Sequence, residues 1–213
     1  MIASEEAAIA FVRGLPECDD AALDRLTTLV RCLAEENERQ NLVSVASLDV
    51  VWQRHIADSA QLLRHVPRET GPWLDLGSGA GFPGLVVAAL RPECAVYLAE
   101  SRALRCAWLR DMANRLALSC VTVLEGPVEK APDILKAAVI SARAFAPLGR
   151  LLELSARFST SETAWLLPKG RSARDELKKL RGWKHAFHVE QSLTDPDAGI
   201  IVGTLAGGKG KSR

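Results

Sequence analysis

Trp73-Leu74-Asp75-Leu76-Gly77-Ser78-Gly79-Ala80-Gly81-Phe82-Pro83-Gly84 joins a short apolar run to a helical pattern through four closely spaced glycines. Glycine turns the backbone sharply with φ > 0 and lets it approach a ligand, and a following helix aims free N–H groups at that ligand. The stretch reads as a strand, a nucleotide-binding turn and a helix start.

Working outward, Gly79 to Gly84 satisfies G-x-G-x-x-G, a pattern that by itself fits a dinucleotide enzyme equally well. Asp75 closes the first strand, and Glu100 closes the next one, where a carboxylate accepts both hydroxyls of a ribose. A loop that cradles pyrophosphate has little use for Phe82-Pro83 inside it. A phosphate-free nucleoside cofactor such as S-adenosylmethionine tolerates that bulk better.

From Trp73 onward, short apolar runs alternate with helical patterns: 73–76, 95–99, 121–124, 138–141, 165–167, 186–189 and 200–205. That alternation predicts an α/β fold with a mostly parallel sheet covered by helices. The last two runs lack an intervening helix and predict an antiparallel hairpin at a sheet edge. Between the runs 95–99 and 121–124, residues 102–118 predict a helix with Leu104, Trp108, Met112 and Leu116 facing the sheet. Before Trp73 the pattern is helical, with a helix over 21–39 after cap candidates Asp19 and Asp20, placing Leu23, Leu26, Val30, Leu33 and Asn37 on one face. A second helical stretch covers 48–65. The organisation expected is a helical extension over 1–70 packed on a core domain over 71–206, then a flexible basic tail over 207–213.

Composition narrows the class. The 213 residues are 48% hydrophobic, enough for one domain of ordinary size with a core. No long apolar span or basic leader is present, so a soluble, cytoplasmic protein without membrane contact is expected. Five scattered cysteines without C-x-x-C or zinc spacing predict reduced thiols and no metal site. Net charge is +1, but residues 1–40 carry nine acidic and four basic side chains, whereas 169–185 carry seven basic and two acidic ones. Lys169, Arg171 and Arg174 in that basic stretch follow a strand and are candidates for an RNA backbone; the alternative is a solvated helix face.

The loop, together with Asn41-Leu42 and Arg54-His55-Ile56-Ala57-Asp58-Ser59 before it and Glu100-Ser101 and Ser141-Ala142-Arg143-Ala144 after it, resembles the ribosomal RNA small subunit methyltransferase G family (RsmG, also glucose-inhibited division protein B). The resemblance spans roughly residues 41–170. It implies a Rossmann-like class I S-adenosylmethionine-dependent methyltransferase fold with a seven-stranded sheet. The implied activity is methyl transfer to N7 of one guanine, customarily numbered 527, in 16S rRNA of the small ribosomal subunit or an assembly intermediate. It further implies cofactor contacts at Gly77, Ser78, Gly79, Gly81, Phe82, Glu100, Val128, Glu129 and Arg143, and RNA contacts at Arg54, His55 and Arg105 beside the three basic residues above. Leu104-Arg105 stands where the family often has Lys-Arg, and Glu100 where it often has Asp.

The chemistry needs few residues. Guanine N7 carries an exposed lone pair and attacks a sulfonium methyl without losing a proton, so alignment replaces a general base. Arg143, just past a strand end, has two readings: a partner for the cofactor's carboxylate or a contact to guanine O6. His55, Asp58 and Ser59 suggest a hydrolase by type only, since positions i, i+3 and i+4 share one helical face and do not form a triad's oriented relay. They are read as polar packing or RNA-facing groups. Rival functions at this stage are an NAD-dependent oxidoreductase, a small-molecule methyltransferase and a non-catalytic ribosome-binding module. A monomer is expected, for want of a long exposed apolar seam.

Overall fold

The computed structural model describes residues 1–132 and 136–207. The chain opens with α1 (Glu5–Arg13) and α2 (Asp20–Asn37). Each starts on a side-chain cap: Ser4 Oγ accepts from the Ala7 N–H at 3.1 Å and Asp19 Oδ1 from the Ala22 N–H at 2.7 Å. The buried face of α2 runs through Ala22, Leu26, Leu29, Cys32, Leu33 and Asn37, with Leu23 and Val30 half-buried at its margins. Asn37 then turns the chain, its side-chain oxygen accepting from the Leu42 and Val43 N–H groups at 2.9 Å each.

The helical stretch expected over 48–65 is there, but in four pieces. These are the end of α3 (Val45–Leu48), a turn of π-helix over Trp52–Ala57, the short α4 (Asp58–Ala60) and a 3₁₀ turn over Gln61–His65. Two tertiary demands loosen the ladder. The Glu5 carboxylate accepts from the Trp52 and Gln53 N–H groups, and the Arg143 guanidinium donates to the Arg54 carbonyl at 3.0 Å. Ser59 Oγ also bonds back to the His55 carbonyl.

Seven strands form the main sheet: β1 (Trp73–Leu76), β2 (Val96–Glu100), β3 (Val121–Glu125), β4 (Val139–Ala142), β5 (Ala164–Gly170), then β7 (His188–Gln191) and β8 (Gly199–Gly203). The order is β3-β2-β1-β4-β5-β8-β7, the first five parallel to one another and β8 antiparallel to both its neighbours, β5 and β7. The hairpin at the edge is therefore as the sequence predicts. A separate two-stranded ribbon, β6 (Lys184–His185) with β9 (Leu205–Gly207), has no counterpart in the sequence reading. It arises because the run 200–205 breaks at Thr204, after Gly203 with φ +143 lies against the Ala186 backbone. Gly207 thus belongs to a strand, and the tail expected beyond it lies outside the described residues.

Each face of the sheet has its own core. Trp73, Val96, Leu98 and Val139 pack with α1, α2, α5 (Gly84–Leu90) and α6 (Ala103–Arg115), while Leu74, Leu76, Ile140, Trp165 and Leu167 pack with α7 (Leu148–Ser155), Ala173 of α8 (Ala173–Lys179) and Phe158. This is the period-two division of a strand buried on both sides. The expectation for α6 needs one correction: Trp108, Met112 and Leu116 are buried, but Leu104 is 72% exposed. The helix begins at Ala103, so Leu104 sits in its first turn beyond the sheet, and Cys106 and Leu109 take the inward positions.

Arg91 ends α5 and is buried, pairing with Glu17 Oε1 at 2.9 Å and donating to the Pro67 carbonyl at 3.0 Å. This ion pair ties the N-terminal helices to the sheet. All five cysteines are free; burial pushes the Cys18, Cys94, Cys106 and Cys120 thiols up from their ordinary range. Among the described residues no helix is long and apolar enough to cross a membrane.

Candidate functional site

The strand order reverses between β1 and β4, and ligands of such sheets bind in the crevice beyond the carboxyl ends of the strands at that point. Two clefts lie there. A cleft of about 400 Å³ is lined by Gly77, Glu100, Arg105, Val128, Glu129 and Phe145 among others. Beside it, a larger one of about 790 Å³ takes in Arg54, His55, Asp58, Arg143, Phe145 and Lys169. Phe145 borders both.

The smaller cleft is built by the glycine turn. Gly77 has φ +66, and a Cβ there would stand 2.5 Å from Phe145 Cδ2, so the turn requires glycine twice over. Gly84 is needed for close approach: a Cβ would overlap Leu98 Cδ2, and without one α5 settles directly onto the sheet. Asp75, in the middle of β1, is fully buried and fastens this turn. Its Oδ2 accepts from the Gly84 N–H at 3.3 Å, and its Oδ1 accepts from Ser141 Oγ at 2.7 Å. Ser141 in turn accepts from Trp73 Nε1 at 2.8 Å. Burial pushes the Asp75 carboxyl up to about 6, opposed by these hydrogen bonds and by Arg143.

Glu100 faces the same cleft, and its partners decide what the turn can hold. Oε2 accepts from the Gly79 N–H at 3.0 Å, and Oε1 from the N–H groups of Ser101 and Arg102 at 2.8 and 2.9 Å. The loop donor that would meet a pyrophosphate is already taken by the protein's own carboxylate. An anion at that donor would meet like charge, which disfavours a pyrophosphate there.

Of the other loop residues expected at a cofactor, Ser78 is buried with its hydroxyl turned to the Asp75 carbonyl, and Gly81 faces Leu85. Phe82 is buried too, beneath His55 and Arg143, with ring centroids 4.9 Å apart to His55. These three support the wall rather than form it. Val128 and Glu129 do line the smaller cleft. Sequence reasoning missed Ser101, Arg102, Gly126 and Pro127, which also line it; Gly126-Pro127 just past a strand is the signal that could have found two of them.

Arg143 lies in the larger cleft, not beside Glu100. It donates to Arg54 O and His55 Nδ1 at 3.0 Å each and to Asp58 Oδ2 at 3.3 Å, and lies 5.3 Å from the centroid of the Phe82 ring. His55 is buried with both ring nitrogens engaged, which favours the packing reading over the RNA-facing one. Burial, with Arg143 and Arg54 adding to it, pushes its pKa down to about 3. Ser59 donates to the His55 backbone, away from the ring, and no triad forms.

The basic candidates divide. Lys169 is almost enclosed, pairs with Glu176 at 3.0 Å and donates to the Ala146 carbonyl, which makes it a brace of the larger cleft rather than a free phosphate contact. Burial opposes ionisation of Glu176, yet the bonds from Ser172, Lys169 and Leu148 hold its carboxyl below the ordinary range. Arg171 is exposed and pairs with Asp197 at 2.8 Å, Arg54 with Asp195 at 3.2 Å, and Arg174 is exposed on α8. Arg105, expected at RNA, sits at the smaller cleft near Gly79.

Comparison with known proteins agrees with this geometry. Residues 22–194 match the family model described as rRNA small subunit methyltransferase G. A protein of that name from Erythrobacter litoralis is 60% identical, covering 95% of this chain and 97% of the relative. Another from Novosphingobium aromaticivorans is 57% identical over 98% of this chain and 91% of its own. Among solved structures, a mutant of MtNAS in complex with S-adenosylmethionine shares the fold, with a TM-score of 0.60 at 16% identity over 94% of this chain and 79% of that one. The chain belongs to the rRNA small subunit methyltransferase G family.

Proposed function

We propose that the chain methylates N7 of one guanine of 16S rRNA, with S-adenosylmethionine in the smaller cleft and the base entering the larger one. The observation that carries this reading is the Glu100 carboxylate, held by three backbone N–H groups at the turn. It takes a turn donor that a phosphate would use while keeping lone-pair capacity for a ribose hydroxyl, and it suits a cationic cofactor. The residues fit such a group: Gly77 lets the turn close against Phe145 at the cleft's edge, Glu100 takes the ribose, and Val128 and Glu129 complete the lining. When bound, the cofactor supplies an electrophilic methyl on a sulfonium sulfur.

The chain's own residues align and desolvate. Phe145, between the clefts, gives the base an apolar edge, and Arg143 keeps two of its five N–H donors beyond the three described bonds, which suits guanine O6. Because N7 loses no proton, no side chain has to act as a base. A structured particle rather than free RNA is the substrate, since the net charge is only +1 and many of the cations are paired internally.

The test is methyl transfer from labelled S-adenosylmethionine to small subunits lacking the modification, with 7-methylguanine mapped in the rRNA. One new 7-methylguanine is expected, formed faster on subunits than on naked 16S rRNA. No label in N7 would overturn the reading.

A further inference from the structure

His55 carries a hydrogen-bond pattern that the methyl transfer itself does not call for. Arg143 can only donate, so His55 Nδ1, at 3.0 Å from it, accepts and bears no proton. The proton of the neutral ring is then on Nε2, which faces Ser47 Oγ at 2.9 Å. Ser47 fixes the same answer from the other side: its hydroxyl proton goes to the Ser44 carbonyl at 2.7 Å, leaving only a lone pair for His55. The tautomer is thus set at both ends. The ring lies flat on Phe82, with 11° between the planes, and the Arg143 guanidinium lies over the same phenyl.

We infer that His55 is a positioning residue: a neutral acceptor that, with Phe82 beneath and Ser47 behind, holds the Arg143 guanidinium in the orientation in which its remaining donors face the larger cleft. The inference rests on the proposed acceptor site. Arg54 O and Asp58 Oδ2 hold one terminal nitrogen of Arg143, and among the described residues His55 alone holds the other. Two anchors on one nitrogen leave the plane free to swing; the third, on the other nitrogen, stops it. A protonated ring would present a donor and a charge to the guanidinium, and burial beside Arg143 and Arg54 opposes that form.

Two measurements test this. In protein with ¹⁵N-labelled histidine, NMR should show His55 as the Nε2–H tautomer at pH 7.5 and unchanged down to pH 5. In Arg143→Ala, the ring should titrate at higher pH. Finding Nδ1 protonated in the wild type overturns the inference.

The second measurement is a double-mutant cycle of methyl transfer to small subunits. His55→Ala should lower kcat roughly 10- to 100-fold with the affinity for S-adenosylmethionine unchanged. It should cost nothing further in an Arg143→Ala background, and His55→Asn, which offers an oxygen near the Nδ1 position, should recover part of the loss. Equal losses in both backgrounds, or a His55→Ala variant that fails to fold while His55→Asn folds and works no better than Arg143→Ala, would sink it. If the wild type itself yields no 7-methylguanine, the proposed function fails first, whereas the tautomer result stands or falls alone.

Discussion

The backbone N–H of Gly79 donates to Glu100 Oε2 at 3.0 Å, across 21 residues of sequence, so the glycine turn and the end of the neighbouring strand form one unit. The acidic side chain shapes the loop as well as lining the smaller cleft.

Replacing Glu100 with Gln turns amide hydrogens toward N–H donors. The affinity for S-adenosylmethionine should fall roughly 10- to 100-fold by titration calorimetry, while NADH binds neither the wild type nor the variant. Tight NADH binding by the wild type would contradict the electrostatic argument.

Gly77→Ala places a methyl group against Phe145 in a left-handed backbone. A loss of about 1–3 kcal/mol in chemical unfolding is expected, and Phe145→Ala in the same chain should return part of it. Two independent, additive losses would show that the clash is not the cause.

The acid response has two opposing parts. The folded His55 pKa is depressed to about 3, so below about 6.5 the unfolded chain takes up a proton that the folded one refuses. That stability is complete above 6.5 and lost as pH falls, about 2 kcal/mol between pH 7 and 5. Asp75 runs the other way: its folded pKa is raised to about 6, so the folded chain takes the proton first and gains stability as pH falls from 6 toward 3.8. Urea unfolding at pH 7 and 5 should therefore show a steeper acid loss in Asp75→Asn than in the wild type, and a shallower one or a gain in His55→Asn. Parallel pH slopes in all three would refute it.

Arg91→Met leaves Glu17 buried and uncompensated. It should cost about 3–5 kcal/mol, most of it recovered by adding Glu17→Leu. The unfolding midpoints of the single and double variants decide this.

Lys169 and Arg174 should separate in salt dependence. Arg174→Ala is expected to reduce the slope of log affinity for the small subunit against log salt by about one, as for a lost phosphate contact. Lys169→Met should leave that slope alone and lower thermal stability instead, because its charge is spent on Glu176. The reverse pattern would restore Lys169 as a phosphate contact.

What could be read from the sequence was mostly local. β1 is found where the run 73–76 puts it, because a strand buried on both faces reads as an apolar run stopped by glycine, here interrupted only by Asp75. Glu100 is legible from its distance to the loop. Ser141 is not, since its meaning lies in an aspartate 66 residues away, and His55 takes its role from an arginine 88 residues on. Leu104 was misread because i, i+4 arithmetic gives a stripe but not where the helix starts. Lys169 looked like one of a basic run; that Glu176 turns back to meet it is a fact of packing.

The two clefts open from adjacent parallel strands, with Asp75 opposite Ser141 in register and the pair bolted by Trp73. Neighbouring strands stand about 4.8 Å apart, among the least deformable lengths in a protein. With donor and acceptor placed in the two clefts as proposed, the distance over which the methyl must travel is gauged against a fixed ruler rather than by the loops at the rim.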